Sequence, residues 1–373
     1  MNWWWLLIAA IKALVVFTAV ISVVPLLVWF ERRGAAWIQN RRGPNLIDIA
    51  GIRTAGLIQP IADAIKFAFK EDIIPNKANR FYYILAPMIM IIMSLLVYAV
   101  IPLGPVHPIT ELGDIAIPPV VKGVPVTFIV APVEIGILFI FAIAGLNVYG
   151  VVLAGWSSNS KYSLLGALRG AAQMVSYEVA MALSVVGVLL MSGSVDLTKI
   201  VREQAGFFHH WYVFPQFLGF IVFLTAMFSE TNRLPFDLPE GESEIVAGYH
   251  TEYGSMKFML FYFAEYIAIV TSSMLFVTLY LGGWQIPGLA RILVIVGAVL
   301  KALKLPAIVV SFGVSLVPAI IFAVKVTMIM VLFVWVRWTL PRFRYDQLMQ
   351  LGWKVLIPLA LINIMITAAV MVK

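Results

Sequence analysis

Residues 81–101 read Phe-Tyr-Tyr-Ile-Leu-Ala-Pro-Met-Ile-Met-Ile-Ile-Met-Ser-Leu-Leu-Val-Tyr-Ala-Val-Ile, a run with no charge in it. As a helix at ~1.5 Å per residue it is ~31 Å long, enough to cross the hydrocarbon core of a bilayer. Comparable apolar runs cover Trp3–Phe30, Thr127–Leu153, Gly170–Met191, Val213–Ser229, Lys257–Leu281, Val314–Trp338 and Gly352–Val372. The reading is therefore an all-α integral membrane protein, a single polytopic domain over 1–373 with about eight transmembrane helices. Eight spans put both termini on the same side.

Composition agrees. Of 373 residues, 62% are hydrophobic and 12% charged, with a mean hydropathy of +0.97. A soluble domain is nearer half apolar and a quarter charged, so lipid must solvate much of this chain. There is no cysteine. That excludes disulfides, thiolate zinc sites, cysteine-ligated iron–sulfur clusters and thiol nucleophiles. His107, His209, His210 and His250 are too few and scattered for a haem pair. Any electron must come from another subunit, and no residue is assigned to a metal. The net charge of +7 comes without a basic, aromatic-interleaved groove for nucleic acid.

The ends and loops orient the spans. Trp3, Trp4 and Trp5 read as an interfacial belt, and Lys12 with no small-residue cleavage site argues against a removable signal peptide. Loops after spans one, three, five and seven carry 17 Lys and Arg, counting those at helix ends, against 6 in the others. The positive-inside rule makes the first set cytoplasmic, so both termini are expected to face outward. Within Gly56–Glu71, Gln59, Asp63, Lys66 and Lys70 form one helical stripe, with Leu57, Ile61, Ile65 and Phe69 opposite. This predicts an amphipathic helix near the cytoplasmic surface. Ala290–Lys304 is apolar but short and interrupted by Lys301 and Lys304, so it reads as a helix at the outer interface, with a ninth span as the alternative.

Ionisable residues inside spans are the chemical signal. Glu134, Glu178 and Glu265 fall within apolar stretches and Glu230 closes the fifth. A charge at mid-bilayer costs at least ~2.5 kcal/mol, so such residues face a cavity or a partner. Four in one chain point to a proton path. Lys325, also mid-span, reads equally as a partner for one of these carboxylates or as a snorkelling side chain.

The loop after span five, Ser-Glu-Thr-Asn-Arg-Leu-Pro-Phe-Asp-Leu-Pro-Glu-Gly-Glu-Ser-Glu (229–244), sets Glu230, Asp237, Glu240, Glu242 and Glu244 against Arg233. Pro235, Phe236 and Pro239 stiffen it, which predicts an ordered loop packed on something. Arginine-rich counterparts are Glu-Arg-Arg-Gly (31–34), Asn-Arg-Arg-Gly-Pro-Asn (40–45) and Val-Arg-Trp-Thr-Leu-Pro-Arg-Phe-Arg-Tyr-Asp-Gln-Leu (336–348).

With Gly56–Pro75 and Gly155–Glu178, these loops resemble, in order and spacing over nearly the whole chain, the H-type membrane subunits of complex I, the proton-translocating NADH–quinone oxidoreductase. The resemblance implies a quinone-chamber subunit with no redox centre of its own. Arg32, Arg41, Asp63, Arg233 and Arg337 would line or brace the quinone tunnel. Glu134, Glu178, Glu230 and Glu265 would form the proton path, and Asp237, Glu240, Glu242 and Glu244 the coupling loop. Quinone, ubiquinone or menaquinone, would be the bound substrate, while NADH, FMN and iron–sulfur clusters would belong to partner subunits. Those partners would be peripheral-arm quinone-site subunits and small membrane subunits. The alternative is the anchor subunit of a related membrane-bound hydrogenase or formate-linked complex.

Overall fold

The computed structural model describes residues 3–49, 52–104, 129–304 and 307–372. In chain order the helices are α1 (Trp3–Ile38), α2 (Gln59–Phe69), α3 (Arg80–Leu96), α4 (Gly136–Gly145), α5 (Asn147–Ser157), α6 (Lys161–Ser192) and α7 (Leu197–Glu203), followed by α8 (Phe217–Glu230), α9 (Glu242–Ile245), α10 (Ser255–Tyr280), α11 (Leu289–Ala302), α12 (Ala307–Thr339), α13 (Tyr345–Gln350) and α14 (Ile357–Met371). Among the described residues the only strands are a two-residue antiparallel pair, Asp48 opposite Arg53 and Ile49 opposite Ile52.

Among the described residues, seven helical segments are long and apolar enough to cross a bilayer: Ala9–Ile38, Arg80–Ala99, Gly136–Ser157, Lys161–Ser192, Ser255–Tyr280, Phe312–Thr339 and Tyr345–Met371. The run predicted as the fifth span gives the shorter α8, because Pro215 cannot donate a backbone hydrogen bond and the helix starts only after it. Even so, α8 runs antiparallel to α6 along its whole length. The Gln216 amide reaches Met191 Sδ at one end, and the Gln173 amide reaches the Ser229 carbonyl at 2.8 Å at the other.

Several predicted boundaries move. Helix α1 runs past Phe30 through Glu31, Arg32 and Arg33, good helix formers that keep the backbone regular after hydropathy falls. It ends where Asn40 turns to φ +49°, the left-handed conformation common after helices. Helix α6 begins at Lys161, nine residues ahead of the predicted Gly170. The third span starts at Gly136, residues 127 and 128 lie outside the described residues, and its two pieces α4 and α5 meet at Leu146. The last span opens at Tyr345 and widens into a π-turn over Leu351–Leu356. Of the tryptophan belt, Trp3 is exposed, while the side chains of Trp4 and Trp5 lie outside the described residues.

Buried tyrosines knit the interior by satisfying their hydroxyls on backbone carbonyls, as apolar surroundings require. Tyr98 donates to Ile267 at 2.9 Å, Tyr177 to Leu348 at 2.8 Å and Tyr280 to Ser184 at 3.2 Å. The predicted amphipathic helix is α2, with Pro60 in its first turn. Its apolar stripe, Ile61, Ile65 and Phe69, is the uncovered one, while Asp63 turns toward α1. That inversion suits a lipid-facing surface. Helix α11 spans 14 residues and packs on α12.

One face of the bundle gathers the ends of α1, α5, α8 and α12 with the starts of α3, α6 and α10. Contacts there include Asn79 N to Ser157 O at 3.0 Å and Phe343 N to Pro235 O at 3.1 Å. The opposite face is marked by Val213 N to Tyr280 O at 3.0 Å and Ala131 N to Ala99 O at 2.8 Å. The arginine-rich segments 31–45 and 336–348 and the acidic segment 229–244 lie on the first face.

Candidate functional site

The segment 231–254 is not a solvated acidic loop. Phe236 and Leu238 are 4% and 1% exposed, and Arg233 is 5% exposed. Gln173, on α6, holds the segment in place by donating to the carbonyls of Ser229 and Phe236, both at 2.8 Å. Apolar anchoring thus carries the acidic residues down between helices.

Arg233 is the hub. Its guanidinium lies 4.2 Å from the Tyr266 ring centre and 5.3 Å from that of Tyr262, and 3.6 Å from Glu265 Oε2. The other oxygen of Glu265 accepts from the Tyr249 hydroxyl at 3.0 Å. Glu31, near the end of α1, accepts from Tyr266 at 2.8 Å and pairs with Arg337 at the end of α12. The approach of these two helices needs Gly34, where a Cβ would fall 2.9 Å from Val334. A hollow of about 10 Å³ between Glu31, Arg233 and Arg337 has room for about one water.

The loop carboxylates are tuned apart. Burial alone would raise Glu240, but the His250 hydrogen bond, His250 Nδ1 to Glu240 Oε1 at 2.9 Å, with the charges of His250 and Arg233, holds it down at about 2. Burial, and then the Glu240 charge, pushes Asp237 up to about 7 despite its contact with Arg342 at 2.8 Å. Glu244 is exposed and meets Arg169 at 2.6 Å, while the side chain of Glu242 lies outside the described residues. Glu240, His250 and Glu265 each bring a ligand atom within 4.8 Å of the others, a cation site in outline. Arg233 already supplies positive charge there.

Deeper in the bundle, Glu230 and Glu265 line one cavity of about 50 Å³ with Ser94, Asn147 and Thr271, large enough for a few waters. Glu230 Oε2 is buried with no protein partner. Glu178 lies close enough for its charge to act on Glu230, and it faces Gly145 on α4, where a Cβ would come within 2.9 Å of its Oε1. Because α6 starts early, Glu178 stands about 26 Å into that helix at ~1.5 Å per residue, near its middle. Three of the four predicted path residues therefore form a series. Glu134 does not join them. It is exposed in the turn ahead of α4 on the opposite face, lining a cavity of about 370 Å³ with Asp196 and Lys199.

The predicted tunnel residues fall in two groups. Arg32 pairs with Asp63 at 2.6 Å, and Arg32 and Arg41 share a cavity of about 260 Å³ with Arg42 and Trp338. Arg233 and Arg337 sit at the hub. Lys325 takes neither predicted role. Its ammonium donates to the carbonyls of Leu281 and Gln285, both at 2.7 Å, and lies 4.0 Å from the Trp211 ring centre, capping the end of α10.

Taken together, the geometry is that of a helical membrane protein with a buried acid–base network leading from surface arginines into the bundle. The chain belongs to the NADH dehydrogenase family, whose model matches residues 11–368. It is 46% identical to an H-type NADH-quinone oxidoreductase subunit of Koribacter versatilis, over 97% of this chain and 96% of the relative. It is 42% identical to NADH-quinone oxidoreductase subunit 8 of Rhodothermus marinus, over 96% of each. The H-type NADH-quinone oxidoreductase subunit of Flavobacterium johnsoniae is also 42% identical, over 98% of this chain and 95% of the relative.

The network also holds residues that carried no predicted role: Tyr249, His250, Tyr262, Tyr266, Gln173 and Arg342. Glu31 lay in a quoted motif without a role. Its signal was the carboxylate beside two arginines at a helix end.

Proposed function

We propose that this chain is the membrane subunit of a proton-translocating NADH–quinone oxidoreductase, forming the membrane side of the quinone tunnel and the start of the proton path. The series of buried and half-buried ionisable groups from Arg337–Glu31 through Arg233–Glu265 to Glu230, with Glu178 near enough for its charge to be felt, carries this reading. Quinone, as bound substrate, enters past α2 into the region bounded by Arg32, Arg41 and Asp63 and is reduced near the charged face. NADH, FMN and iron–sulfur clusters reside in partner subunits of the peripheral arm, which dock on that face, and small membrane subunits flank the bundle. The charged face is cytoplasmic and both termini are outside, as the loop arginines argue.

The mechanism follows from the charges. Quinone reduction draws two protons into a low-dielectric site, where a change of one charge is felt strongly by its neighbours. Asp237, Glu240 and Glu265 crowd carboxyl groups around Arg233, so moving that guanidinium or adding a proton redistributes the charge among them. The water-sized hollows beside Glu31 and between Glu265 and Glu230 supply proton-carrying gaps. A coupled shift needs two loop arrangements of different free energy.

Photolabelling the whole purified complex with an azido-quinone tests this. Label on α1, α2 or segment 231–254, competed by excess quinone, is the expected result. Absence of label from this chain would favour the related hydrogenase-type anchor.

A further inference from the structure

We propose that Ser255 and Lys257 are positioning residues that fix the far end of the entrance helix α2 and so set how a long-tailed quinone is admitted. This rests on the reading of α2 as a flank of the quinone entrance.

Helix α2 is tethered at both ends, by different neighbours. Near its start, the Trp29 indole donates to the Ala55 carbonyl at 3.0 Å and Arg32 pairs with Asp63 at 2.6 Å, both from α1. At its end the tether comes from the first turn of α10. Ser255, 2% exposed, sends its hydroxyl to the carbonyls of Phe67 at 3.1 Å and Lys70 at 2.8 Å. Carbonyls of a last helical turn lack partners within the helix, so this outside donor satisfies groups that would otherwise be left bare. Lys257, 9% exposed, donates to both oxygens of Asp72 at 2.5 and 2.6 Å and lies 5.5 Å from the Tyr83 ring centre.

Ser255 is also held in an unusual backbone state, φ +54°, although it is not glycine. A residue with a Cβ stays there only when its surroundings over-determine it. Those surroundings are firm. Tyr83 and Tyr253 stack at 4.1 Å, and the Tyr83 hydroxyl donates to the Glu252 carbonyl at 2.5 Å.

The consequence is mechanical. Ser255 follows directly on segment 231–254, so any shift of that segment is passed to residues 67–72. The uncovered apolar stripe of α2, Ile61, Ile65 and Phe69, faces where an isoprenoid tail would slide. A head group small enough to diffuse in without tail guidance should not sense the tether. A long tail should.

The test uses the whole complex in proteoliposomes with two substrates, a long-tailed isoprenoid quinone and a short-tailed analogue. Ser255→Gly removes the hydroxyl while tolerating the positive φ. Lys257→Met removes the charge and keeps the stem. Each should raise KM for the long-tailed quinone about tenfold, with kcat near wild type and the short-tailed KM unmoved. The exchanged pair Lys257→Asp with Asp72→Lys should bring the long-tailed KM back toward wild type. Equal KM shifts for both quinones, no shift, a fall in kcat alone, or no recovery in the exchanged pair would overturn the proposal. Azido-quinone labelling of the same variants separates the two readings, since label retained with no KM difference sinks the tether alone.

Discussion

The Tyr249 hydroxyl donates to Glu265 Oε1 at 3.0 Å, and both side chains are buried. This bond joins segment 231–254 to the middle of α10. Burial, and then the Glu265 charge, holds the phenol well above its ordinary range, so Tyr249 stays a donor throughout physiological pH. Tyr249→Phe keeps the ring packing against Phe261 and removes only the donor. It should cost about 1–3 kcal/mol of local stability, the penalty for a buried acceptor left unpaired. Hydrogen exchange of residues 245–254 in the assembled complex should speed up about tenfold or more, and unchanged exchange would count against the bond.

How much of this was legible in the sequence depended on separation along the chain. The apolar runs foretold the spans because hydropathy is a local signal. Boundaries slipped where helix propensity outlasted hydropathy, as at Glu31 to Arg33, or where a proline shortened a run, as at Pro215. Glu134 falls in a turn and not in a span, and an apolar window cannot tell a helix from the turn that precedes it. The acidic residues of 230–244 were visible, yet their burial depended on Phe236, Leu238 and the distant Gln173. The pairing of Glu31 with Arg337, 306 residues apart, left no local trace. Lys325 found carbonyls at a helix end, acceptors that every sequence has and none advertises.

The Glu31–Arg337 pair predicts a stability effect. Breaking a buried pair by removing one partner costs ~3–5 kcal/mol, and here about 2–3 because the Arg337 side chain is 22% exposed. Glu31→Gln should lower the thermal midpoint of the solubilised complex. Adding Arg337→Met should recover most of the loss, since the orphaned charge is then gone. A single variant as stable as wild type would show that the pair carries no weight.

Asp237 predicts a pH dependence. With its pKa raised to about 7, against an ordinary ~3.9, the folded loop favours the protonated form. Its contribution is fully present below about pH 4 and is lost as pH rises toward 7. Protection of residues 231–244, with exchange corrected for its intrinsic rise with pH, should therefore fall between pH 5 and 7.5 in the wild type and lose much of that slope in Asp237→Asn. An identical slope in the variant would assign the titration to another group.

The central claim is that carboxylates within the bundle carry protons in step with quinone reduction. The most direct measurement is Glu178→Gln in the whole complex, reconstituted in vesicles, with quinone turnover, proton translocation and electron transfer to an artificial acceptor recorded together. Turnover or pumping should fall by about tenfold or more, in the range of a lost positioned proton-transfer group, while electron input to the clusters stays at the wild-type rate. Wild-type turnover and pumping in that variant would contradict the account.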